Sequence, residues 1–339
     1  MERAETFLEL SLLFIPICFL FYTILLKSKI KEKAIQELLS FYLISFFFSN
    51  AIVYIGKQIL KEEFLKNQTK SLIFLLTLMI SPSIITFFDE PFEYVSLSKI
   101  LKVFKEKTLY FGIFIIVLSA LLNPLLSSII WSDVKFSISS ETLLNNLKNY
   151  NLPETDIESI KLQLNINPLL LVPLIIIQSI IAGISVNAIF AYGEERAWRD
   201  FVTKRFFSLG FGFWNTSFIS GFLWGLWHYP VILLGYNFPD NPAIGVLVMC
   251  ISCSLLTPLF IKITLAVPGI MTASILHGVF NATGGFTVLM VSGGIDLQNG
   301  ILGFSCWILF SFINLMIYFF DNPSSINLQE EEESTNKEN

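Results

Sequence analysis

Only two histidines occur in the 339 residues, so chemistry that needs an imidazole must use His228 or His277. His228 lies near the end of one apolar segment, and His277 lies inside another. An ionisable side chain at membrane depth is costly and is a functional candidate for that reason. Asn281 follows His277 by four residues, which places both side chains on one helix face. The competing interpretation of each histidine is an ordinary interhelical hydrogen bond.

A cluster of charges precedes the two histidines. Residues 193–201 read GEERAWRDF, which is five charges in nine residues. Glu195 and Arg199 are four residues apart and face each other on a helix, whereas Glu194 lies about 100° further round. One carboxylate can therefore be held by an arginine while the other points into the bundle as a general base. The alternative is a solvated turn beside the membrane.

The four residues Glu194, His228, His277 and Asn281 together could hydrolyse an amide. A carboxylate and an imidazole can hold and deprotonate water, while a second imidazole and an amide can donate hydrogen bonds to an oxyanion. Alternatively, Glu194, His228 and His277 could bind Zn²⁺, as two histidines and one glutamate do in known hydrolytic sites. The zinc-protease motif HExxH and the serine-hydrolase motif GxSxG are both absent.

Membrane helices are the elements that must position these side chains. Hydrophobic residues make up 54% of the chain and charged residues 14%, against about 25% charged in a soluble domain. About 20 apolar residues span a bilayer, and about nine such segments occur: Leu10–Leu26, Leu38–Ile55, Ser71–Phe88, Leu109–Trp131, Pro168–Phe190, Phe211–Leu234, Ala243–Ile261, Thr264–Val288 and Ile301–Phe320. We therefore expect an all-α, polytopic transmembrane bundle of about 8–9 helices. A net charge of −5 excludes a basic surface for nucleic acid.

Four regions follow from this pattern: N-terminal transmembrane helices over 1–131, a hydrophilic helical insertion over 132–167, a transmembrane core over 168–322, and an acidic, disordered tail over 323–339. The insertion is predicted to be a helical hairpin with helix starts near Ser140 and Pro153. Pro268-Gly269 is expected to break the eighth apolar segment. All four cysteines lie in apolar segments and are predicted to be buried, inert thiols.

Basic residues indicate the orientation in the membrane. Loops 27–37, 89–108 and 191–209 fall on one side if the connections alternate, and that side holds 14 of the 22 Lys and Arg residues. The excess predicts a cytoplasmic C-terminus and an exterior N-terminus in a multi-pass integral membrane protein.

Three motifs in order resemble one known family. Glu194-Glu195-x-x-x-Arg199, Trp224-x-x-x-His228 and His277-x-x-x-Asn281 are similar to the motifs of the CAAX prenyl protease and bacteriocin-processing intramembrane peptidase family, called CPBP or Abi. The resemblance covers about residues 168–290. The family usually has Phe where this chain has Trp224, which preserves an aromatic wall. The resemblance implies an all-helical membrane endopeptidase whose catalytic cavity opens toward the cytosol.

The resemblance also implies a role for each residue. Glu194 and His228 would activate water, and His277 with Asn281 would stabilise the oxyanion. The side chains that support this site would be Glu195, Arg199 and Trp224. The family has been described both as metal-dependent and as glutamate-dependent, so the cofactor is either none or Zn²⁺, and we favour the mechanism without metal.

The expected partners are the lipid bilayer and a protein or peptide substrate, either with or without a lipid anchor. Processing of CAAX proteins and bacteriocin immunity or maturation both remain open as the physiological reaction. In a prokaryote the compartment would be the inner membrane. A membrane transporter and a non-catalytic immunity or scaffold protein are the alternative functions.

Overall fold

The computed structural model describes residues 33–61, 64, 68–86, 97–149 and 168–321, and it is 83% helical. Three sequence predictions lie outside the described residues. They concern the first apolar segment at Leu10–Leu26, the second helix of the insertion near Pro153, and the acidic tail over 323–339.

Helices account for every predicted apolar segment after the first. In chain order the helices are α1 (Lys33–Leu60), α2 (Gln68–Thr86), α3 (Leu97–Val103), α4 (Lys107–Ile130), α5 (Ser140–Asn149), α6 (Pro168–Ala182), α7 (Ala188–Glu195), α8 (Thr203–Ser208), α9 (Phe213–Trp227), α10 (Tyr229–Ile232), α11 (Pro242–Ala266), α12 (Ile270–Thr283), α13 (Phe286–Met290), α14 (Asp296–Asn299) and α15 (Phe304–Asp321).

Five helical stretches are long and apolar enough to cross a membrane, judged by length and composition within the described residues. They are Lys33–Leu60, Lys107–Ile130, Val172–Ser208, Pro242–Ala266 and Asp296–Phe320. Outward-facing side chains on these stretches are strongly apolar, with Ile129 76%, Ile189 70% and Phe320 79% exposed. Such faces are most stable in contact with lipid, because exposing apolar surface to water is unfavourable in free energy. The chain is thus an integral membrane protein, while the count of 8–9 helices stays a prediction.

The stretch Val172–Ser208 is one continuous helical run with two π-helical segments, Gly183–Asn187 and Arg196–Val202. Each π-helical turn contains more residues than an α-helical turn, and such segments are frequent at functional sites. The second begins directly after Glu194 and Glu195. The second irregular part of this long helix therefore directly follows the two carboxylates Glu194 and Glu195.

Glycines allow the helices around the candidate site to approach closely. A Cβ atom on Gly221 or Gly225 of α9 would overlap backbone atoms of Cys253 or Cys250 on α11. A Cβ atom on Gly278 of α12 would overlap the carbonyl oxygen of Gly183. At these three positions the absence of a side chain therefore lets neighbouring helices pack closely.

Replacement of Gly278 by alanine should destabilise the protein by about 1–3 kcal/mol, because backbone atoms cannot move aside as a flexible side chain can. Thermal unfolding of the purified protein in detergent measures the effect. Gly285→Ala is the matched control, since a Cβ atom there meets no atom within 4 Å. Equal unfolding temperatures for the two variants would contradict this account of the α12 packing.

The structure confirms one predicted helix break and one predicted short helix, and it contains a short strand pair that was not predicted. The expected interruption at Pro268-Gly269 is confirmed, since α11 ends at Ala266 and α12 begins at Ile270. The first helix of the insertion is confirmed as α5. The sequence did not predict the strand β1 (Val134–Phe136), which pairs antiparallel with β2 (Val291–Gly293). A three-residue strand is too short to show an alternating pattern.

The described parts of the three basic loops meet at one end of the molecule. Arg205 Nε donates to Glu37 Oε2 at 3.0 Å, which joins the segment after Glu195 to the start of α1. A cavity at the same end is lined by Lys99, Lys102 and Lys204, among other residues. This arrangement supports the prediction that the three basic loops lie on the same side of the membrane.

Candidate active site

Glu194 lies one residue before the end of α7, with 2% of its surface exposed. Its Oε2 atom accepts a hydrogen bond of 2.8 Å from the indole Nε1 of Trp224. The same oxygen lies 3.9 Å from Nε2 of His228. The structure therefore brings together the carboxylate and the imidazole that were predicted to activate water.

His228 occupies the position where α9 ends and α10 begins, and 12% of its side chain is exposed. Its Nδ1 atom lies 2.9 Å from the backbone oxygen of Trp224. A carbonyl oxygen can only accept, so Nδ1 carries the proton, and Nε2 of the neutral ring is an acceptor. Nε2 and the Glu194 oxygen are then two facing acceptors. A water molecule about 2.8 Å from each acceptor can donate one hydrogen to Glu194 and the other to His228.

Glu195 is fully buried and contacts two partners at once. Its Oε1 atom lies 2.7 Å from Nδ1 of His277. Its Oε2 atom lies 3.1 Å from Nε of Arg199, which is a charge contact without an aligned hydrogen bond between these two atoms. The predicted pairing of Glu195 with Arg199 is found, and the contact with His277 is an addition that the sequence did not reveal.

Trp224 lies at the centre of the site and is 3% exposed. Its ring centroid is 5.2 Å from that of His277 and 5.9 Å from that of His228. The guanidinium carbon of Arg199 lies 3.9 Å from the Trp224 ring centroid, within cation–π distance. The aromatic ring expected at this position is present, and it also contacts the charged groups of Glu194 and Arg199.

Helix α1 fixes the chain on both sides of His228. Ser49 Oγ donates to the backbone oxygen of Trp227 at 3.1 Å, and Tyr229 Oη donates to Asn50 Oδ1 at 2.6 Å. These residues are about 180 positions apart in the chain. No local spacing could have pointed to them, so sequence reasoning missed this support from the N-terminal helices.

Asn281 lies one turn after His277 on α12, as the spacing predicts. Its side chain is exposed and makes no hydrogen bond within the described residues. The helical register therefore places Asn281 on the His277 side of α12. Its contribution to an oxyanion site stays a prediction.

The alternative zinc site of Glu194, His228 and His277 stays a prediction. Within the part of the chain that the structure describes, no three His, Cys, Asp or Glu side chains converge as metal ligands. His277 contacts Glu195 through Nδ1 at 2.7 Å, so only its Nε2 atom could bind a metal. The described cysteines, Cys250, Cys253 and Cys306, are free and buried, which agrees with their predicted inert role.

Comparison with known proteins adds one finding. Residues 168–283 match the family model described as type II CAAX prenyl endopeptidase Rce1-like. No curated protein and no solved structure matches the chain. The matched range contains Glu194, His228, His277 and Asn281, and it agrees with the family suggested by the three motifs. Residues 168–283 of this chain are therefore similar to the Rce1-like type II CAAX prenyl endopeptidases, which supports a membrane protease.

Proposed function

We propose that the protein is an intramembrane endopeptidase that hydrolyses a peptide bond of a membrane-associated protein or peptide. The observation that carries this proposal is the pair of facing acceptors, Glu194 Oε2 and His228 Nε2, 3.9 Å apart in a buried setting. Two acceptors at this distance repel each other unless a donor lies between them. Water is the donor that a hydrolase needs at this position.

Water held between these two acceptors is oriented for attack. With both hydrogens donated to Glu194 and His228, its lone pairs face the remaining direction, where the scissile carbonyl carbon would lie. As the new C–O bond forms, one water proton moves to the Glu194 carboxylate. When the C–N bond breaks, that proton passes to the leaving amine. Glu194 is thereby restored to its charged form.

The oxyanion formed during attack requires donors, and His277 is the buried candidate. The Glu195 carboxylate accepts a hydrogen bond from Nδ1 of His277. The Nε2 atom of His277 then remains for the substrate. Donation from Nε2 at the same time requires both ring nitrogens to be protonated, and Glu195 then carries the compensating charge. A carboxylate that orients a histidine in this way has the role of the aspartate in a Ser-His-Asp triad. Asn281 would supply the second donor.

The two carboxylates therefore differ in task because they differ in partner. Glu195 contacts the Arg199 cation and His277, so its negative charge is balanced by these two neighbours. Glu194 touches an indole N–H and lies beside an imidazole, so lone pairs remain for water. The mechanism without metal is therefore derived from these side chains alone.

The family match and the membrane setting support a membrane-associated peptide as the substrate. A CAAX-type protein with a lipidated C-terminus and a bacteriocin-related peptide are the two candidates that we carry forward. The excess of basic residues at one end favours a site that opens to the cytoplasm. In a prokaryote the protein would lie in the inner membrane.

A direct test uses the purified protein in liposomes with matched prenylated and unprenylated CAAX-type peptides, a library of membrane-anchored peptides and ¹⁸O-labelled water. We expect cleavage of at least one peptide with ¹⁸O in the new carboxyl terminus, because the nucleophile is water. Thorough treatment with a chelator should leave the rate unchanged. A rate that falls on chelation and returns with Zn²⁺ would contradict the metal-free mechanism. Absence of cleavage across the library, together with uptake of a solute that His228→Ala abolishes, would favour a transporter.

A further inference from the structure

The indole of Trp224 makes a directional contact that an aromatic ring without an N–H could not make. Its Nε1 atom donates to Glu194 Oε2 at 2.8 Å, and both side chains are buried, at 3% and 2% exposed. Hydrogen bonds to a charged acceptor are stronger than neutral ones. A phenylalanine would fill most of the same space and leave that oxygen without its donor.

The face of the same indole contacts a cation. The guanidinium carbon of Arg199 lies 3.9 Å from the ring centroid of Trp224, and Arg199 also pairs with Glu195 at 3.1 Å. A cation on the face of an aromatic ring draws electron density toward itself. The N–H at the ring edge then becomes a better donor, since neighbouring polar groups polarise one another in a medium of low dielectric constant.

One arginine therefore stabilises both carboxylates, directly for Glu195 and through an indole for Glu194. The Trp224 backbone oxygen also accepts from His228 Nδ1 at 2.9 Å. Trp224 thus fixes the carboxylate oxygen with its side chain and the imidazole tautomer with its main chain. Both partners of the proposed water are oriented by a single residue.

We propose that Trp224 is a positioning residue whose indole N–H holds Glu194 as an oriented, charged base and conveys to it the field of Arg199. This inference rests on the proposed function, because it requires Glu194 to be the general base. It assigns Trp224 a role that depends on one hydrogen atom and not on the volume of the ring.

Trp224→Phe tests the role of that atom. We expect kcat to fall by about 10- to 100-fold, the loss of one hydrogen bond to a charged group, with KM changed by less than about threefold. The acidic limb of the pH profile of kcat/KM should also move to higher pH, because the charged carboxylate loses a donor that stabilises it. Both quantities are measured on the peptide that the liposome assay identifies.

Trp198→Phe is the matched control for lost volume. Trp198 is 1% exposed, and its indole nitrogen has no hydrogen-bond partner among the described residues. Both variants should unfold at comparably lowered temperatures, but the acidic limb should move only in Trp224→Phe. A shift of the same size in Trp198→Phe would overturn the proposal, because packing alone would then explain it.

A second variant keeps the test informative if Trp224→Phe does not fold. Incorporation of β-(3-benzothienyl)alanine at position 224 replaces the N–H by sulfur and retains the shape of the indole. We expect the same loss of kcat and the same shift of the acidic limb. Wild-type values in this variant would overturn the role of Trp224 and, if Glu194→Gln is inactive, would leave the proposed function intact. Activity in Glu194→Gln would overturn both the base assignment and the inference.

Discussion

Glu194→Gln is expected to lower kcat by at least about 100-fold, because general-base catalysis contributes about 10²- to 10⁴-fold and an amide cannot take up the water proton. The variant should still insert and fold. Glutamine has the same shape, and its side-chain oxygen can accept the indole hydrogen bond of Trp224 that Glu194 accepts at 2.8 Å. Steady-state hydrolysis in liposomes and thermal unfolding in detergent measure the two properties separately.

Asp200→Asn is the matched control for Glu194→Gln. Asp200 lies six residues away on the same helical run and pairs at 2.6 Å with Lys204, whose side chain is 59% exposed. Loss of this carboxylate should leave kcat within about twofold of wild type, since it is remote from the proposed water. If both variants were equally active, Glu194 would not be the base.

Glu195→Gln is expected to reduce both stability and activity. Removing one partner of a buried charge pair costs about 3–5 kcal/mol, because the other charge stays buried without compensation. Here the Arg199 cation, at 2% side-chain exposure, would lose its counter-charge. His277 would lose the carboxylate that contacts Nδ1 at 2.7 Å, so we also expect kcat to fall by at least about 10-fold.

The unfolding free energy in denaturant and kcat at full occupancy measure these two effects. Asp200→Asn serves again as the comparison, since an exposed ion pair contributes about 0–1 kcal/mol. Glu195→Gln should therefore be the less stable variant by several kcal/mol. Stability equal to that of Asp200→Asn would show that the contact among Glu195, Arg199 and His277 is unimportant for folding.

Local spacing predicted the parts of this site that lie within one helix. Glu195 and Arg199 are four residues apart, and they contact each other at 3.1 Å. The different direction of Glu194 also follows from helix geometry, and the structure places it beside His228. The apolar segments after the first were located because a lipid environment requires long apolar helices.

Contacts between distant segments could not be predicted in the same way. Glu195 and His277 are 82 positions apart, and no rule of helical periodicity relates two residues on different helices. The role of the Trp224 indole depends on the Glu194 oxygen lying within 2.8 Å, which is a property of the packed bundle. The hydrogen bond between Tyr229 and Asn50 likewise depends on where α1 packs.

The helix packing itself explains why these distances are reached. Gly221 and Gly225 let α9, which carries Trp224, lie directly against α11. Gly278, next to His277, lets α12 lie directly against the long helical run that carries both carboxylates. The partner helix of each glycine became clear only from the structure, because sequence spacing does not show which helices are neighbours.

The central claim is that this chain hydrolyses peptide bonds with Glu194 as the base. The most direct measurement compares the newly formed protein and peptide termini in cells that express wild type or Glu194→Gln at equal membrane levels. We predict a set of cleaved products in wild-type cells that is missing in the variant, and their sequences would identify the substrate. Identical sets of termini in the two cell populations would contradict the claim.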